Sequence, residues 1–200
     1  MHHAPPIYRN IITALWLAWA LFWLLAALSN KTTQRRESPG SRLAHVLPLL
    51  AGAVLLAWRT VPWPWLALRL WRVSFSTYCI GVALLVAGLA FSVWARVHLG
   101  RNWSGSVTVK QDHELIRSGP YAWVRHPIYT GLLSALLGTV IVSGTVRAVI
   151  GFAIITAALL RKLRIEEGFM RETFPGVYER YCAEVPALIP FTKPRRSAPH

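Results

Sequence analysis

Long apolar runs separated by short polar segments constrain this 200-residue chain more than any other feature of its sequence. A membrane-spanning helix needs about 17–25 mostly apolar residues, and the runs 10–29, 43–58 and 77–95 match or approach that length. Residues 127–160 are also apolar, with a break at 143–145 that predicts two helices joined as a tight hairpin. The chain is therefore predicted to be all-α, a polytopic transmembrane helical bundle of about five spans followed by a cytoplasmic C-terminal helical segment.

The composition supports a membrane protein, because 54% of the residues are apolar and only 15% are charged. A net charge of +14 can indicate nucleic-acid binding, but here the cations lie in short loops between apolar runs. We therefore expect contact with membrane lipid and no nucleic acid. Cys79 and Cys182 lie far apart and provide neither a disulfide framework nor metal-ligand spacing, so no metal is expected.

The distribution of charge predicts the orientation of the five spans. Of the 22 Lys and Arg, five fall on one side and seventeen on the other. Because positive loops favour the cytoplasm, residues 96–126 and 161–200 are predicted to be cytoplasmic, and the N-terminus to be outside. Seven of the eight Asp and Glu lie in those two segments. We accordingly divide the chain into three N-terminal helices, 1–95, and a core with the motif loop, the hairpin and the C-terminal segment, 96–200.

Residues 59–72, between the second and third runs, read RTVPWPWLALRLWR. They combine three Trp with three Arg, and amphipathic aromatic rings favour the level of the lipid headgroups. The segment is therefore predicted to lie in the membrane interface.

The stretch 117–131, RSGPYAWVRHPIYTG, places cations and aromatic rings between two turn signals. A residue before proline is disfavoured in a helix and proline suits the first helical position, so His126 is predicted to precede the fourth helix. Arg125 and His126 alone are typical of side chains that snorkel at the interface. Together with the neighbouring rings they indicate a binding site; the rings are Tyr121, Trp123 and Tyr129.

The stretch 161–174, RKLRIEEGFMRETF, is predicted to continue the fifth helix out of the bilayer. Lys162 and Glu166 are four residues apart, as are Glu167 and Arg171, so each pair shares a helix face. Such pairs are usually solvated and contribute about 0.3–0.5 kcal/mol. Two adjacent carboxylates at a membrane boundary nevertheless favour a cationic or hydroxyl-rich ligand. After a break at 174–176, the tyrosines of VYERY are predicted to pack back onto the bundle.

Two stretches taken together, DHELIRSGPYAWVRHPIYTG and RIEEGFMRETFPGVYERYCAEVPALIPF, closely resemble the isoprenylcysteine carboxyl methyltransferase family of integral membrane enzymes. The resemblance covers about residues 96–192. It implies a multi-pass membrane enzyme with a cytoplasmic active site and S-adenosyl-L-methionine as cofactor. The implied acceptor is lipophilic or amphiphilic, most favourably the carboxylate of an isoprenylcysteine-type molecule.

The motif match also implies roles for individual residues. A cation just before the Glu pair would hold the acceptor carboxylate, which points to Lys162, where the eukaryotic enzymes carry Arg, or to Arg164. Arg125 of the R-H-P element is a third candidate catalytic cation. The implied cofactor contacts are Thr108, His113, Glu114, Leu115, Ile116, Tyr121, His126, Pro127, Ile128, Tyr129, Glu166 and Glu167.

Three other functions remain open at this point. Phospholipid N-methyltransferases share a similar arrangement, and so do membrane reductases of the sterol type that use NADPH. A non-enzymatic membrane protein that keeps the scaffold is the third. Binding of S-adenosylhomocysteine or of a nicotinamide dinucleotide separates the methyltransferases from the others, and the stability of the methylated product to base separates an ester from an amine.

Overall fold

The computed structural model describes residues 6–27, 33–36, 38–58, 62–100, 108–110 and 115–192, with side-chain environments for all of these except 6–9, 33–36 and 108–110. The described part is almost entirely helical, which confirms the predicted class. The helices are α1 (Pro6–Ala27), α2 (Pro39–Ala57), α3 (Phe75–Leu99), α4 (Pro127–Ser143), α5 (Val146–Thr173) and α6 (Val177–Glu184). Single 3-10 turns cover Pro64–Ala67 and Gly119–Ala122.

Three of these helices are long and apolar enough to cross a membrane, over Asn10–Ala27, Pro39–Ala57 and Phe75–Leu99. They coincide with the first three apolar runs. The fourth helix is equally apolar but has only 17 residues, and α5 combines an apolar first half with a charged second half. The five predicted helices therefore exist, whereas the number of spans and their orientation stay predictions.

A short antiparallel sheet is an element that the sequence did not predict. Strand β1 (Thr33–Arg36) pairs with β2 (Thr108–Lys110), with Arg35 opposite Val109. The pairing joins the segment after α1 to the segment that precedes residues 113–116, and β2 lies beside α5. Strand β1, TQRR, contains no apolar residue, and β2, TVK, is shorter than the roughly four to eight residues over which apolar–polar alternation identifies a strand.

The helices pack as two antiparallel pairs, α3 with α4 and α2 with α5. The first pair approaches so closely that backbones touch. A Cβ added at Gly88 would lie 2.5 Å from both Gly131 O and Ala135 N, and one at Gly138 would lie 2.4 Å from Gly81 O. Helices in lipid gain little from the hydrophobic effect, so small residues that allow close van der Waals contact favour their association. We call this α3–α4 contact the glycine seam.

The expectation of a tight hairpin between the fourth and fifth helices is only half right. Gly144, in the left-handed conformation (φ 63°), ends α4 and gives the sharp turn into α5. After the turn, however, α4 packs mainly along α3, and α5 mainly along α2. The reason is that the glycines of α3 and α4 face each other, so the closest partner of α4 is the helix that precedes it.

Both ends of the bundle have a distinct character. The turn end consists of residues 62–74 and the α4–α5 turn at 143–146, which share backbone hydrogen bonds. The site end consists of residues 115–130, the C-terminal half of α5 and the segment 174–192. There Tyr178 and Tyr181 are buried against Leu115 and Met170, which confirms that VYERY packs back onto the bundle.

The proposed boundary between 1–95 and 96–200 falls inside α3 and stays a prediction.

Candidate active site

A buried ion pair forms the centre of the site end. Glu167, on the charged half of α5, is only 7% exposed. Arg125, two residues before α4, donates from Nε and Nη2 to Glu167 Oε1 at 2.9 and 2.6 Å. The other guanidinium nitrogen donates to the carbonyls of Cys182 and Val185 at the end of α6. One side chain thus ties α4, α5 and α6 together.

His126 lies between the two adjacent carboxylates of α5. Its Nε2 is 3.3 Å from Glu167 Oε1, and its Nδ1 is 3.7 Å from Glu166 Oε2. The residue precedes α4 with a non-helical backbone (φ −123°, ψ 62°), and Pro127 occupies the first turn. This confirms the predicted helix start, which follows from the proline that blocks a helical conformation one residue earlier.

Glu166 has a separate set of partners. Tyr129 donates its hydroxyl to Glu166 Oε1 at 2.6 Å, and Lys162 Nζ lies 3.6 Å from the same oxygen. The rings of His126 and Tyr129 stack almost parallel, with centroids 5.6 Å apart and an interplanar angle of 6°. Lys162 Nζ also lies 5.6 Å from the centroid of the Tyr129 ring. Carboxylate, cation and two aromatic faces therefore meet at one place.

The C-terminal segment lies directly against this cluster. The backbone N–H groups of Arg125 and His126 donate to Pro186 O and Ala187 O at 2.9 and 3.0 Å. Thr130 Oγ1 donates to Leu188 O at 2.7 Å. The backbone carbonyls after α6 thus find their hydrogen-bond donors around the start of α4. Residues 185–188 thereby form one wall of the site.

The electrostatics of the cluster favour an ionised Glu167. Burial alone raises the pKa of its carboxyl, but the hydrogen bond and charge of His126 and the guanidinium of Arg125 outweigh burial and lower this pKa to about 2. Burial also raises the pKa of Tyr121, Tyr178 and Tyr181. These tyrosines therefore stay protonated, and Tyr181 donates its hydroxyl to Tyr121 O at 2.6 Å.

The structure brings most of the predicted site residues together. Arg125, His126, Tyr129, Lys162, Glu166 and Glu167 form the contacts described above. Leu115, Ile116 and Ile128 are half-buried around them, Pro127 is buried, and Tyr121 is buried beneath Tyr181. Arg164 is exposed on α5. His113 and Glu114 lie outside the described residues, and Thr108 is described only as part of β2.

Several residues of the site end were not predicted to take part. His98, at the end of α3, lies 2.9 Å from Ser118 Oγ and stacks on Tyr121. Arg117 pairs with Glu184 and lies over the ring of Tyr181, 5.2 Å from its centroid. A signal for the first contact is the glycine at 119, since a Cβ there would lie 2.7 Å from the His98 ring. Within the described ranges, no group of three or more His, Cys, Asp or Glu is arranged to hold a metal ion.

Comparison with known proteins shows which proteins this chain is similar to. A sequence model described as the isoprenylcysteine carboxyl methyltransferase family matches residues 81–172. A probable protein-S-isoprenylcysteine O-methyltransferase of Oryza sativa subsp. indica is 28% identical over 124 residues, 60% of this chain and 63% of the relative. The protein-S-isoprenylcysteine O-methyltransferase of Schizosaccharomyces pombe is 32% identical over 120 residues, 58% of this chain and 51% of the relative. The matched part thus spans half to slightly under two thirds of these relatives.

A solved structure gives the same result for the fold. The eukaryotic intramembrane Ras methyltransferase ICMT (isoprenylcysteine carboxyl methyltransferase) superposes with a TM-score of 0.50 at 25% identity, over 78% of this chain and 54% of that chain. The apolar helices and this likeness to an intramembrane protein establish a membrane protein. The matched residues 81–172 include the glycine seam, the R-H-P element and the Glu pair, and over this stretch the chain is similar to the isoprenylcysteine carboxyl methyltransferase family.

Proposed function

We propose that this protein is a membrane methyltransferase that uses S-adenosyl-L-methionine and acts on a lipophilic or amphiphilic acceptor. The favoured acceptor is the carboxylate of an isoprenylcysteine-type molecule, since relatives carry that activity in their names. The observation that carries the proposal is the cluster of Glu166 with His126, Tyr129 and Lys162 at the site end. We further propose that this end faces the cytoplasm, in line with the distribution of cations.

The side chains of this cluster fit S-adenosylmethionine chemically. Glu166 is partly exposed and carries a negative charge that suits an ammonium group or the hydroxyls of a ribose. The stacked faces of His126 and Tyr129 suit a sulfonium or an adenine, because aromatic faces attract cations and flat rings. When bound, the cofactor supplies an electrophilic methyl group on a positively charged sulfur. Leu115, Ile116, Tyr121, Pro127 and Ile128 complete the proposed cofactor set, with Thr108, His113 and Glu114 as further members.

Lys162 is the better placed of the two cations that precede the Glu pair. Its Nζ lies beside Glu166 and the Tyr129 ring, whereas Arg164 is exposed. An acceptor carboxylate held by Lys162 would therefore lie next to the proposed cofactor residues. Lysine binds a carboxylate as a point charge and without the bidentate geometry of arginine, so it also tolerates acceptors of different shape.

Methyl transfer to an ionised carboxylate needs no general base, because the acceptor carries no proton to remove. The residues of the chain then have to align the acceptor and exclude water, and alignment alone can lower a barrier by several kcal/mol. Lys162 supplies the aligning charge. Residues 185–188, which are hydrogen-bonded to the start of α4, shield one side of the cluster from water.

Arg125 and Glu167 are proposed to position this site without contacting a ligand. Oε1 of Glu167 accepts from Arg125 and lies within reach of His126, and its Oε2 accepts from Arg171 at 3.3 Å. Both carboxylate oxygens are thus engaged inside the protein. The pair orients His126 and fixes the C-terminal segment, so its effect on catalysis passes through those elements.

The decisive experiment measures transfer of labelled methyl groups in membranes that contain the protein. Three acceptors are compared: an S-isoprenyl cysteine with a free carboxylate, its carboxamide analogue, and phosphatidylethanolamine. A base-labile product from the first acceptor alone is expected. A base-stable methylamine from phosphatidylethanolamine would replace carboxyl methylation by N-methylation, and no transfer to any of the three would refute the proposed acceptor class. A Glu166→Gln variant serves as the matched control.

A further inference from the structure

We propose that residues 62–72 form a lipid-docking surface, the turn-end surface, which lies in the headgroup layer and prefers anionic phospholipids. The segment connects α2 to α3, two helices that are each able to span the membrane. It lies at the turn end, and α3 and α4 lead from there to the site end. The proposal is independent of the chemistry proposed for the site.

The turn-end surface is a folded element with fixed backbone contacts. Leu70 N donates to Gly144 O at 2.7 Å, and Val146 N donates to Leu68 O at 3.0 Å. Trp71 donates from Nε1 to Ile141 O at 2.9 Å, and Leu66 is buried. The segment is thus bound to the α4–α5 turn, so its outward side chains have a defined direction relative to the helices.

The outward face of the turn-end surface combines apolar and cationic side chains. Trp63, Trp65, Leu68 and Leu70 are each more than half exposed, and Arg69 and Arg72 are exposed beside them. In water such a face would be costly, since apolar area stays hydrated. In the headgroup layer, indole rings and leucines reach the acyl boundary while guanidinium groups remain among phosphates.

Charge complementarity favours anionic lipid over the other possible occupant, a second copy of the chain. Residues 38–111 contain no Asp or Glu, so two copies that met face to face through this surface would bring arginines against arginines. A phospholipid headgroup offers the missing negative charge. Each basic residue near an anionic membrane surface favours association by about fivefold.

The first test measures the depth of the surface in reconstituted vesicles of phosphatidylcholine and phosphatidylglycerol. A fluorophore is attached at Ala67→Cys in a Cys79→Ser/Cys182→Ala background, which leaves Trp63, Trp65 and both arginines intact. Labels at Ala87→Cys, exposed in the middle of α3, and at Glu179→Cys, exposed on α6, give the acyl and aqueous references. Lipids spin-labelled at the headgroup should quench the label at 67 most strongly. Dominant quenching by a water-soluble quencher would overturn the proposal, and so would weak quenching by every agent, as burial against a second copy predicts.

The second test measures selectivity with the same label at residue 67. Quenching by brominated phosphatidylglycerol and by brominated phosphatidylcholine with identical chains gives the relative association of the two lipids. We expect at least about a fivefold preference for the anionic lipid, and loss of that preference in Arg69→Gln/Arg72→Gln. Arg180→Gln, which removes an exposed cation at the site end, should retain it. Equal quenching by both lipids in the parent, or a preference that survives the double substitution, contradicts the proposed selectivity.

Discussion

The glycine seam and the Arg125–Glu167 pair hold the same protein together by different means. In the seam, the backbones of α3 and α4 touch and side chains are reduced to hydrogen atoms. At the site end, α4, α5 and α6 are joined by a buried carboxylate and a guanidinium that is only 10% exposed. The seam is suited to lipid, where neighbouring helices gain most from close contact. The ion pair is suited to a site that must hold charged ligands in a fixed arrangement.

The two contacts should respond differently to mutation. A larger side chain in the glycine seam overlaps with the facing helix, whereas loss of one partner of the ion pair leaves the other charge buried and unpaired. The largest effect is expected for Gly88→Leu. Any Cβ at this position meets the backbone of α4 at 2.5 Å, and backbone atoms cannot retreat unless the helices separate. We expect a loss of at least about 4 kcal/mol in the free energy of unfolding, or no folded protein.

The measurement is unfolding in detergent micelles, followed by tryptophan fluorescence. Gly40→Ala is the matched control, since a Cβ at this helical glycine meets no atom within 4 Å. Alanine is a better helix former than glycine by about 1 kcal/mol, so this variant should be as stable as the parent or slightly more stable. A well-folded Gly88→Leu protein would show that the seam is not closely packed.

The next largest effect is expected for Arg125→Met, which leaves Glu167 buried beside His126 and Arg171. Removing one partner of a buried ion pair costs about 3 kcal/mol or more. Replacing both partners with apolar residues of similar size is often close to neutral, so Arg125→Met/Glu167→Leu should regain part of the loss. If the double variant is less stable than the single one, the pair is not the source of the effect.

The same pair predicts a dependence of stability on pH. The pKa of Glu167 falls from 4.5 to about 2 on folding, so between these values the unfolded chain binds the proton more readily. The contribution, about 3 kcal/mol, is therefore complete above pH 4.5 and is lost as the pH falls towards 2. Unfolding curves of the parent should shift across this window, whereas those of Glu167→Gln should shift less. Equal shifts would place the titrating group elsewhere.

Most of the fold could be predicted from the sequence, because apolar runs and turn residues act locally. The start of α4 follows from Pro127, the turn after it from Gly144, and the pairing of Lys162 with Glu166 from their spacing. The choice of helix partners is not local. Yet the glycines of the seam recur seven residues apart on both helices, at 81 and 88 and at 131 and 138, and small residues at regular spacing are the known signal for such contacts.

The sequence predicted which stretches of the chain meet at the candidate site, but not how their side chains connect. Arg125 and Glu167 are 42 residues apart, and nothing in either stretch indicates that they pair. Both Glu166 and Glu167 were predicted to contact the cofactor. Folding makes them different, because adjacent residues of a helix point in different directions. Glu167 points towards Arg125, whereas Glu166 contacts Tyr129 and Lys162.

Glu166→Gln sharpens this difference between neighbours. Glu166 is more exposed than Glu167 and is the proposed ligand of the cofactor. Loss of a charge-assisted hydrogen bond to a ligand costs about 1.5–3 kcal/mol, or roughly ten- to a hundredfold in affinity. Binding of S-adenosylhomocysteine, measured by calorimetry, should weaken by that amount while the unfolding midpoint moves little. Glu167→Gln should do the reverse, with a clear loss of stability. Equal effects of both variants on both quantities would show that the two carboxylates act as one unit.

The smallest effect is expected for Glu184→Gln, which removes an ion pair of the same chemistry in a different environment. Arg117 and Glu184 are in contact, but their side chains are 39% and 58% exposed, against 10% and 9% for Arg125 and Glu167. Water screens the exposed pair and solvates either partner when the other is removed, so such pairs contribute about 0–1 kcal/mol. Arg117 also lies over the ring of Tyr181, a contact in which Glu184 takes no part. The unfolding midpoint of Glu184→Gln should therefore lie within error of the parent at 150 mM salt and move further only at low salt, where screening is weaker. A loss as large as that of Arg125→Met would mean that burial does not distinguish the two pairs.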